Sequence, residues 1–266
     1  MKRFQLMEIE DQTWLPKSVR NALTDYLQFM TDRTKPYSPI IPQLERAIEL
    51  TGANRIIDLC SGGAGPWFSL QTDGRRFSSI KVTLTDKFPN IPAFRQAQSL
   101  SNGAMDFVSK PIDATDVPAD LVGFRTLFAS FHHFRPAQAR AILNDAAVKR
   151  QGIAVFEVTH RSAPAIALMF LMPLLVLIFT PFIRPFRLSR MLWTYLVPVV
   201  PLIVLFDGIV SCLRTYNPSE LRALMSELAA ETEYQWEIGE QKAEGAPLPV
   251  TYLIGYPRPD EQVISD

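Results

Sequence analysis

Cysteine, histidine and charge of one dominant sign are all scarce in this chain. Two cysteines in 266 residues, Cys60 and Cys212, cannot build a disulfide framework and fit a reducing compartment. Lysine and arginine number 27 against 27 aspartates and glutamates, so no global basic field invites nucleic acid and no such partner is expected. An opening apolar run is missing too. Met1 to Phe4 gives way to Glu8, Glu10 and Asp11, which does not read as a signal peptide. There is no internal repeat and no low-complexity tract. The length suits one large α/β domain with insertions or two small domains, and composition sets no oligomeric state.

One region lacks charge altogether. Residues 163–183 hold 21 positions without a charged side chain, and residues 191–206 hold 16 more. Arg184, Arg187 and Arg190 lie between them. The first half is nominally long enough to cross a hydrocarbon core of ~30 Å at 1.5 Å per residue. Pro164, Pro173, Pro181, Pro198 and Pro201 should break both halves into short pieces. A spanning hairpin would also carry the arginines to the far side, against the positive-inside tendency. The expectation is a monotopic insert that dips into one leaflet from the cytoplasmic side, its arginines meeting phosphates. A buried core subdomain or a dimer interface is the competing reading.

Elsewhere strands and helices alternate. Residues 18–31 and 40–51 read as helices, followed by strand 55–60, a helix from Pro66, strand 80–85 and a helix at 91–101. Short strands are expected near 105–108 and 125–131. Pro136 then opens a helix to Ala147, and strand 153–159 follows. After the insert, Asn217-Pro218-Ser219-Glu220 has the cap, first-turn proline and third-position acid of a helix start. Two strands, 234–240 and 250–256, close the pattern. Such alternation ending in a strand pair predicts a mostly parallel sheet with an antiparallel edge.

The run Arg55-Ile-Ile-Asp58-Leu-Cys60-Ser61-Gly62-Gly63-Ala64-Gly65-Pro66-Trp67 reads as a buried strand that ends in a tight glycine turn, where backbone N–H groups can approach a cofactor. Asp86 ends the next strand, where a carboxylate can accept both ribose hydroxyls. A dinucleotide fingerprint fits poorly, because Cys60 and Gly62 are followed by Ala64 and Gly65. An acid opening the turn also suits a cationic, amino-acid-bearing cofactor better than a pyrophosphate. Asp58-Leu-Cys-Ser-Gly62-Gly63-Ala-Gly65 resembles the first motif of class I S-adenosylmethionine-dependent methyltransferases, with Cys60 in place of the usual first glycine. Leu84-Thr85-Asp86 resembles their ribose-binding strand end. Ile112-Asp113-Ala114 resembles their adenine-contacting segment, and Thr126 to Phe134 their fourth strand and turn in the subgroup that includes quinone-biosynthesis enzymes.

The resemblance implies an α/β fold: a Rossmann-like class I methyltransferase sheet, mostly parallel with an antiparallel C-terminal strand. Residues 1–52 would form a helical cap, 53–161 the cofactor-binding core, 162–213 the apolar membrane-associating insert, and 214–266 a helix and strand pair completing the core. S-adenosyl-L-methionine is the implied cofactor, held by Asp58, Cys60, Ser61, Gly62, Gly63, Gly65, Asp86, Lys87, Asp113, Ala114 and Ser130. Trp14-Leu15-Pro16 and Lys35-Pro36-Tyr37 would belong to the cap. The implied activity is methyl transfer to a lipophilic, membrane-resident acceptor, quinone-like or lipid. The alternatives are a quinone-modifying enzyme that uses the same cofactor differently, and a non-catalytic membrane-associated cofactor-binding protein.

Acid–base candidates are His132 and His133, just past the fourth strand, and Glu157 in the fifth. Either histidine could instead pack on the sheet or cap the helix at Pro136, and Glu157 could accept structural hydrogen bonds. Cys60 reads as a packed turn residue, and Asp116 as a solvated loop acid. No metal site is expected: no cysteine or carboxylate spacing completes a zinc set with His132, His133 and His160. Arg125 needs a buried partner. Asp207, Arg214 and Tyr216 close the insert, either to orient a headgroup or as an anchoring ion pair.

Overall fold

The computed structural model describes residues 1–74, 77–226, 228 and 234–258, so residues 259–266 of the expected C-terminal unit lie outside the described residues. Seven strands form one sheet: β1 Arg55–Asp58, β2 Lys81–Leu84, β3 Met105–Phe107, β4 Phe124–Phe128, β5 Ile153–Glu157, β6 Tyr234–Gln241 and β7 Val250–Pro257. Their order is β3-β2-β1-β4-β5-β7-β6, with β7 antiparallel to both neighbours and every other pairing parallel. This is the sheet expected from the alternating pattern. The order reverses between β1 and β4, where an open α/β sheet leaves a crevice at the carboxyl ends of its strands.

Period-two alternation sends side chains to two apolar layers. Ile56, Phe124, Phe128 and Phe156 pack with α2 (Ile41–Thr51), α3 (Trp67–Asp73) and α4 (Ile91–Leu100). Ile57, Leu127 and Val155 pack with α5 (Pro136–Val148) and, further along the chain, α10 (Pro218–Met225). Arg125 is buried within β4 and donates to Asp145 on α5 at 2.7 Å, which identifies its partner. Two expected strands end early for a backbone reason: Cys60 and Ala129 adopt φ of 57° and 44°, which β-structure cannot hold. The chain therefore turns at the sheet edge, and Phe131–His133 form a short 3₁₀ turn there.

The insert comprises α6 (Ala163–Met169), α7 (Met172–Phe179), α8 (Leu188–Met191), a π turn at Leu192–Leu196, and α9 (Val199–Arg214). Its prolines occupy helix starts: Pro164 and Pro173 lie in the first turns of α6 and α7, and Pro198 precedes α9. Val176, Ile183, Val200, Ile203 and Val204 share a core with Leu15, Val19, Leu23 and Tyr26 of the N-terminal region, α1 (Lys17–Thr34) and the residues before it. The outward side chains have no such cover. Phe170, Phe182, Leu188, Leu196 and Leu202 are each more than half exposed. Ala163–Phe182 is long and apolar enough to cross a membrane, and only 17% of its most apolar window is buried; Leu188–Leu196 and Val199–Arg214 meet at a 76° bend.

The three arginines part company here. Arg184 is exposed, as a headgroup contact requires. Arg190 is 2% exposed and binds Asp25 of α1 and the carbonyl oxygens of Ile183 and Pro185, so it clamps the insert to α1 rather than facing outward. Arg187 lies 3.3 Å from the same aspartate.

Candidate functional site

The turn after β1 is built from positions that accept left-handed backbone. Gly62 and Gly65 have φ of 57° and 54°, and a Cβ on Gly63 would stand 3.1 Å from Thr24 of α1. Gln28 of α1 donates to the Gly65 carbonyl at 2.8 Å, so this helix lies over the turn. Ser61 ties the turn to β2: its N–H donates to the Thr85 carbonyl at 2.9 Å and its hydroxyl to the Asp58 carbonyl at 2.8 Å. Trp14 is exposed, whereas Leu15 and Tyr37 are buried.

Three carboxylates gather around this turn. Asp58 is buried and accepts the Thr126 hydroxyl at 2.6 Å. Burial pushes its carboxyl up to about 6, against the Thr126 hydrogen bond that favours the charge. Asp86 accepts the Gly62 N–H at 3.0 Å and the Phe88 N–H at 2.8 Å, which fixes it at the end of β2. Asp113 accepts Thr115 through both N–H and hydroxyl and pairs with Lys87 at 3.0 Å. Burial opposes the Asp113 charge, yet Thr115 and Lys87 together hold its carboxyl below the usual range. Ala114 is buried beside it, and Ser130 is buried next to Cys60. Burial first, then the fields of Asp86, Asp58 and Asp113, push the Cys60 thiol well up, so it stays protonated. A site that opposes a thiolate this way favours a cation.

His132 and His133 follow β4, and Glu157 ends β5. His132 Nδ1 lies 2.7 Å from Glu157 Oε2, and the His132 N–H donates to Glu157 Oε1 at 3.0 Å. Burial works against the Glu157 charge, but the His132 ring and amide outweigh it and hold the carboxyl below its ordinary range. Tyr37 links the two halves. Burial, then the nearby charges of Glu157 and Asp58, raise its phenol well above the ordinary value. His133 stacks against His132 with ring centroids 4.4 Å apart.

Glu8 and Asp11 were not singled out from sequence as site residues, and they lie on the segment before α1. Glu8 is buried 3.7 Å from His132 Nε2 and 3.1 Å from His133 Nδ1, while Asp11 lies 2.9 Å from His133 Nδ1. Arg214, at the end of α9, donates to the carbonyls of His132 and His133 and contacts Asp11 at 3.0 Å and Glu8 at 3.3 Å. Asp207 accepts the N–H groups of Ile9 and Glu10, and Tyr216 donates to the Phe134 carbonyl. The residues that close the insert therefore bind protein. Burial disfavours charge on His133, but Glu8 and Asp11 overcome it and push the ring up to about 9. His160 is elsewhere, against the Pro249 carbonyl, beside a separate cavity that includes Arg161, Thr215 and Asn217.

No protein-family model and no curated protein matches the chain. Solved structures do. An O-methyltransferase from neocarzinostatin biosynthesis (NcsB1), in complex with S-adenosyl-L-homocysteine and 1,4-dihydroxy-2-naphthoic acid, matches with a TM-score of 0.53 at 13% identity over 91% of this chain and 59% of that one. An O-methyltransferase family protein from Burkholderia thailandensis gives 0.52 at 16% identity over 88% and 59%. PigF with S-adenosylhomocysteine gives 0.52 at 14% over 92% and 62%. The fold is that of the class I methyltransferases. The chain spans about three fifths of the length of these neighbours. Within that fold the strand ends bring Asp58, Asp86 and Asp113 to one side of the crevice and His132 and Glu157 to the other.

Proposed function

We propose that the chain is an S-adenosylmethionine-dependent methyltransferase acting from one face of a membrane on a lipophilic acceptor. The observation that carries the reading is the convergence of Asp58, Asp86 and Asp113 on a left-handed glycine turn at the switch point of the sheet. This donor set fits the cofactor: acids suit its ammonium and sulfonium charges, and Asp86 suits its ribose hydroxyls. When bound, the cofactor supplies an electrophilic methyl group. Asp86 would hold the ribose, Asp113 and the Ala114 backbone would hold the adenine edge, and Gly62 to Gly65 would allow close approach. His132, oriented by Glu157, places a basic nitrogen at the acceptor end of the crevice.

The apolar insert supports a membrane-resident acceptor. It follows β5 and leaves Phe170, Phe182, Leu188, Leu196 and Leu202 uncovered. A hydroxylated aromatic or quinone-like acceptor agrees with the naphthoic acid bound by NcsB1. The test uses detergent-purified chain with methyl-labelled cofactor and membrane extract from cells lacking the protein. Label in the lipid fraction together with S-adenosylhomocysteine binding by calorimetry is expected. Absence of binding would overturn the cofactor assignment. Binding without any labelled acceptor would favour a binding protein.

A further inference from the structure

Glu8, His132 and His133 present three donor atoms to one buried point, and we infer that they bind a single divalent transition-metal ion. The inference goes beyond the methyl-transfer reading and does not depend on its cofactor assignment; with an ion on Nε2, His132 would be a ligand and not the free base of that reading. His132 Nε2 lies 3.7 Å from Glu8 Oε1, His133 Nδ1 lies 3.1 Å from Glu8 Oε2, and all the donor atoms fall within 4.8 Å of one another. Donors placed tetrahedrally at 2.0–2.1 Å from an ion stand about 3.3 Å apart, so these separations already bracket a coordination shell.

Two further observations point to a ligand. His132 is 2% exposed and its Nε2 has no hydrogen-bond partner, although it faces a carboxylate. Its other nitrogen is held by Glu157 at 2.7 Å, the carboxylate–histidine arrangement that fixes the ring of a metal ligand. With the Nδ1 proton directed at Glu157, Nε2 turns a lone pair toward Glu8, and a positive centre between them satisfies both. Asp11, 2.9 Å from His133 Nδ1, supplies a fourth oxygen donor within reach.

Charge agrees. Glu8, Asp11 and Glu157 face this chamber; Arg214 contacts the first two, and an ion would displace the His133 ring proton that lies between them. Arg214, held by the His132 and His133 carbonyls, and the Ser211 hydroxyl reach Glu8 Oε1, while His132 Nε2 is left with no partner. Two imidazoles and a carboxylate select zinc, cobalt, nickel or iron over magnesium and calcium, which prefer oxygen alone. The donor set joins the N-terminal segment to the turn after β4, so an ion there would also pin residues 1–16 over the site.

The experiment titrates chelator-stripped full chain in detergent with zinc and, separately, cobalt, without cofactor. Calorimetry should show one equivalent, and cobalt should give a visible band with nitrogen and oxygen ligation. Glu8→Gln and His133→Asn should each weaken binding at least tenfold with the far-ultraviolet spectrum unchanged, and Glu157→Gln should weaken it less. His160→Ala, outside the cluster, should bind as the parent does. No saturable binding, or binding indifferent to Glu8→Gln and His133→Asn, would overturn the site. S-adenosylhomocysteine affinity, measured on the same preparations, separates this outcome from failure of the cofactor assignment.

Discussion

Replacing Arg190 by alanine asks whether the arginine turn of the insert holds the protein together or meets the membrane. The side chain is buried, and its guanidinium joins Asp25 to the Ile183 and Pro185 carbonyls, each at 2.8 Å. Deleting one partner of a buried pair costs about 3–5 kcal/mol, because the other charge is left without compensation. Asp25 keeps Arg187 at 3.3 Å, and that arginine is 25% exposed, so the lower end, about 3 kcal/mol, is expected. At about 2–4 °C per kcal/mol for a chain of this size, the melting temperature should fall by about 6–12 °C. Calorimetry of the detergent-bound protein reads that shift, and proteolysis between Ile183 and Met191 should accelerate. Arg184→Ala is the counterpart: no change in melting, but about fivefold weaker binding to anionic vesicles, equivalent to about 1 kcal/mol. If Arg190→Ala melts like the parent and loses vesicle binding instead, the clamp is refuted and the arginine faces lipid.

The remaining predictions concern the crevice. Asp86→Ala should weaken S-adenosylhomocysteine binding by about 1.5–3 kcal/mol, the usual loss for a charged hydrogen bond, and unchanged calorimetric affinity would remove Asp86 from the site. Asp58 should link cofactor affinity to pH. Its folded carboxyl is raised from 3.8 to about 6, so the free fold retains a proton that the unfolded chain loses, and its contribution to stability declines as pH rises from about 4 through 6. A cationic cofactor favours the ionised form, so affinity should rise up to about tenfold per unit below pH 6 and level off above it; Asp58→Asn should flatten that slope, and a slope unchanged in the variant would refute the assignment. His132→Ala and Glu157→Gln should lower turnover by about 10²–10⁴-fold while leaving S-adenosylhomocysteine affinity alone, which single-turnover kinetics and calorimetry can separate.

The core of the fold was legible because its signals are local. β-branched strands, the glycine turn, and acids at successive strand ends each lie within a few residues, and the structure brings Asp58, Asp86 and Asp113 to one turn as their spacing implied. Strand ends were less legible. Nothing in the composition around Cys60 or Ala129 announces a positive φ, and those two residues set where β1 and β4 stop. Least legible were contacts between distant segments. Glu8 and Asp11 speak only against a signal peptide, and Asp207 and Arg214 read as a headgroup contact or an anchoring ion pair. Only tertiary structure places Glu8, Asp11 and Arg214 at the histidines, which lie about 125 residues from the first two, and brings Asp207 to the amides beside Glu8. Arg190 misled for a related reason: a basic turn between apolar segments looks like a headgroup contact until Asp25 is found beneath it.

These distant contacts make the insert and the site one mechanical unit. α9 runs 16 residues, about 24 Å at 1.5 Å per residue, from the bend at Pro198 to Arg214. Its start packs on α1 with the other apolar helices, and α1 in turn lies over the glycine turn through Thr24 and Gln28. Its end carries Asp207, Ser211 and Arg214, which hold the Ile9 and Glu10 amides, the Glu8 carboxylate and the His132 and His133 carbonyls. One helix therefore touches the apolar face, the cover of the cofactor crevice and the histidine chamber. A rigid tilt of α9 would be felt at each of these places, because packed helices move as units. If the apolar face docks on a bilayer as proposed, α9 would couple that docking by direct contact to the segment that covers His132.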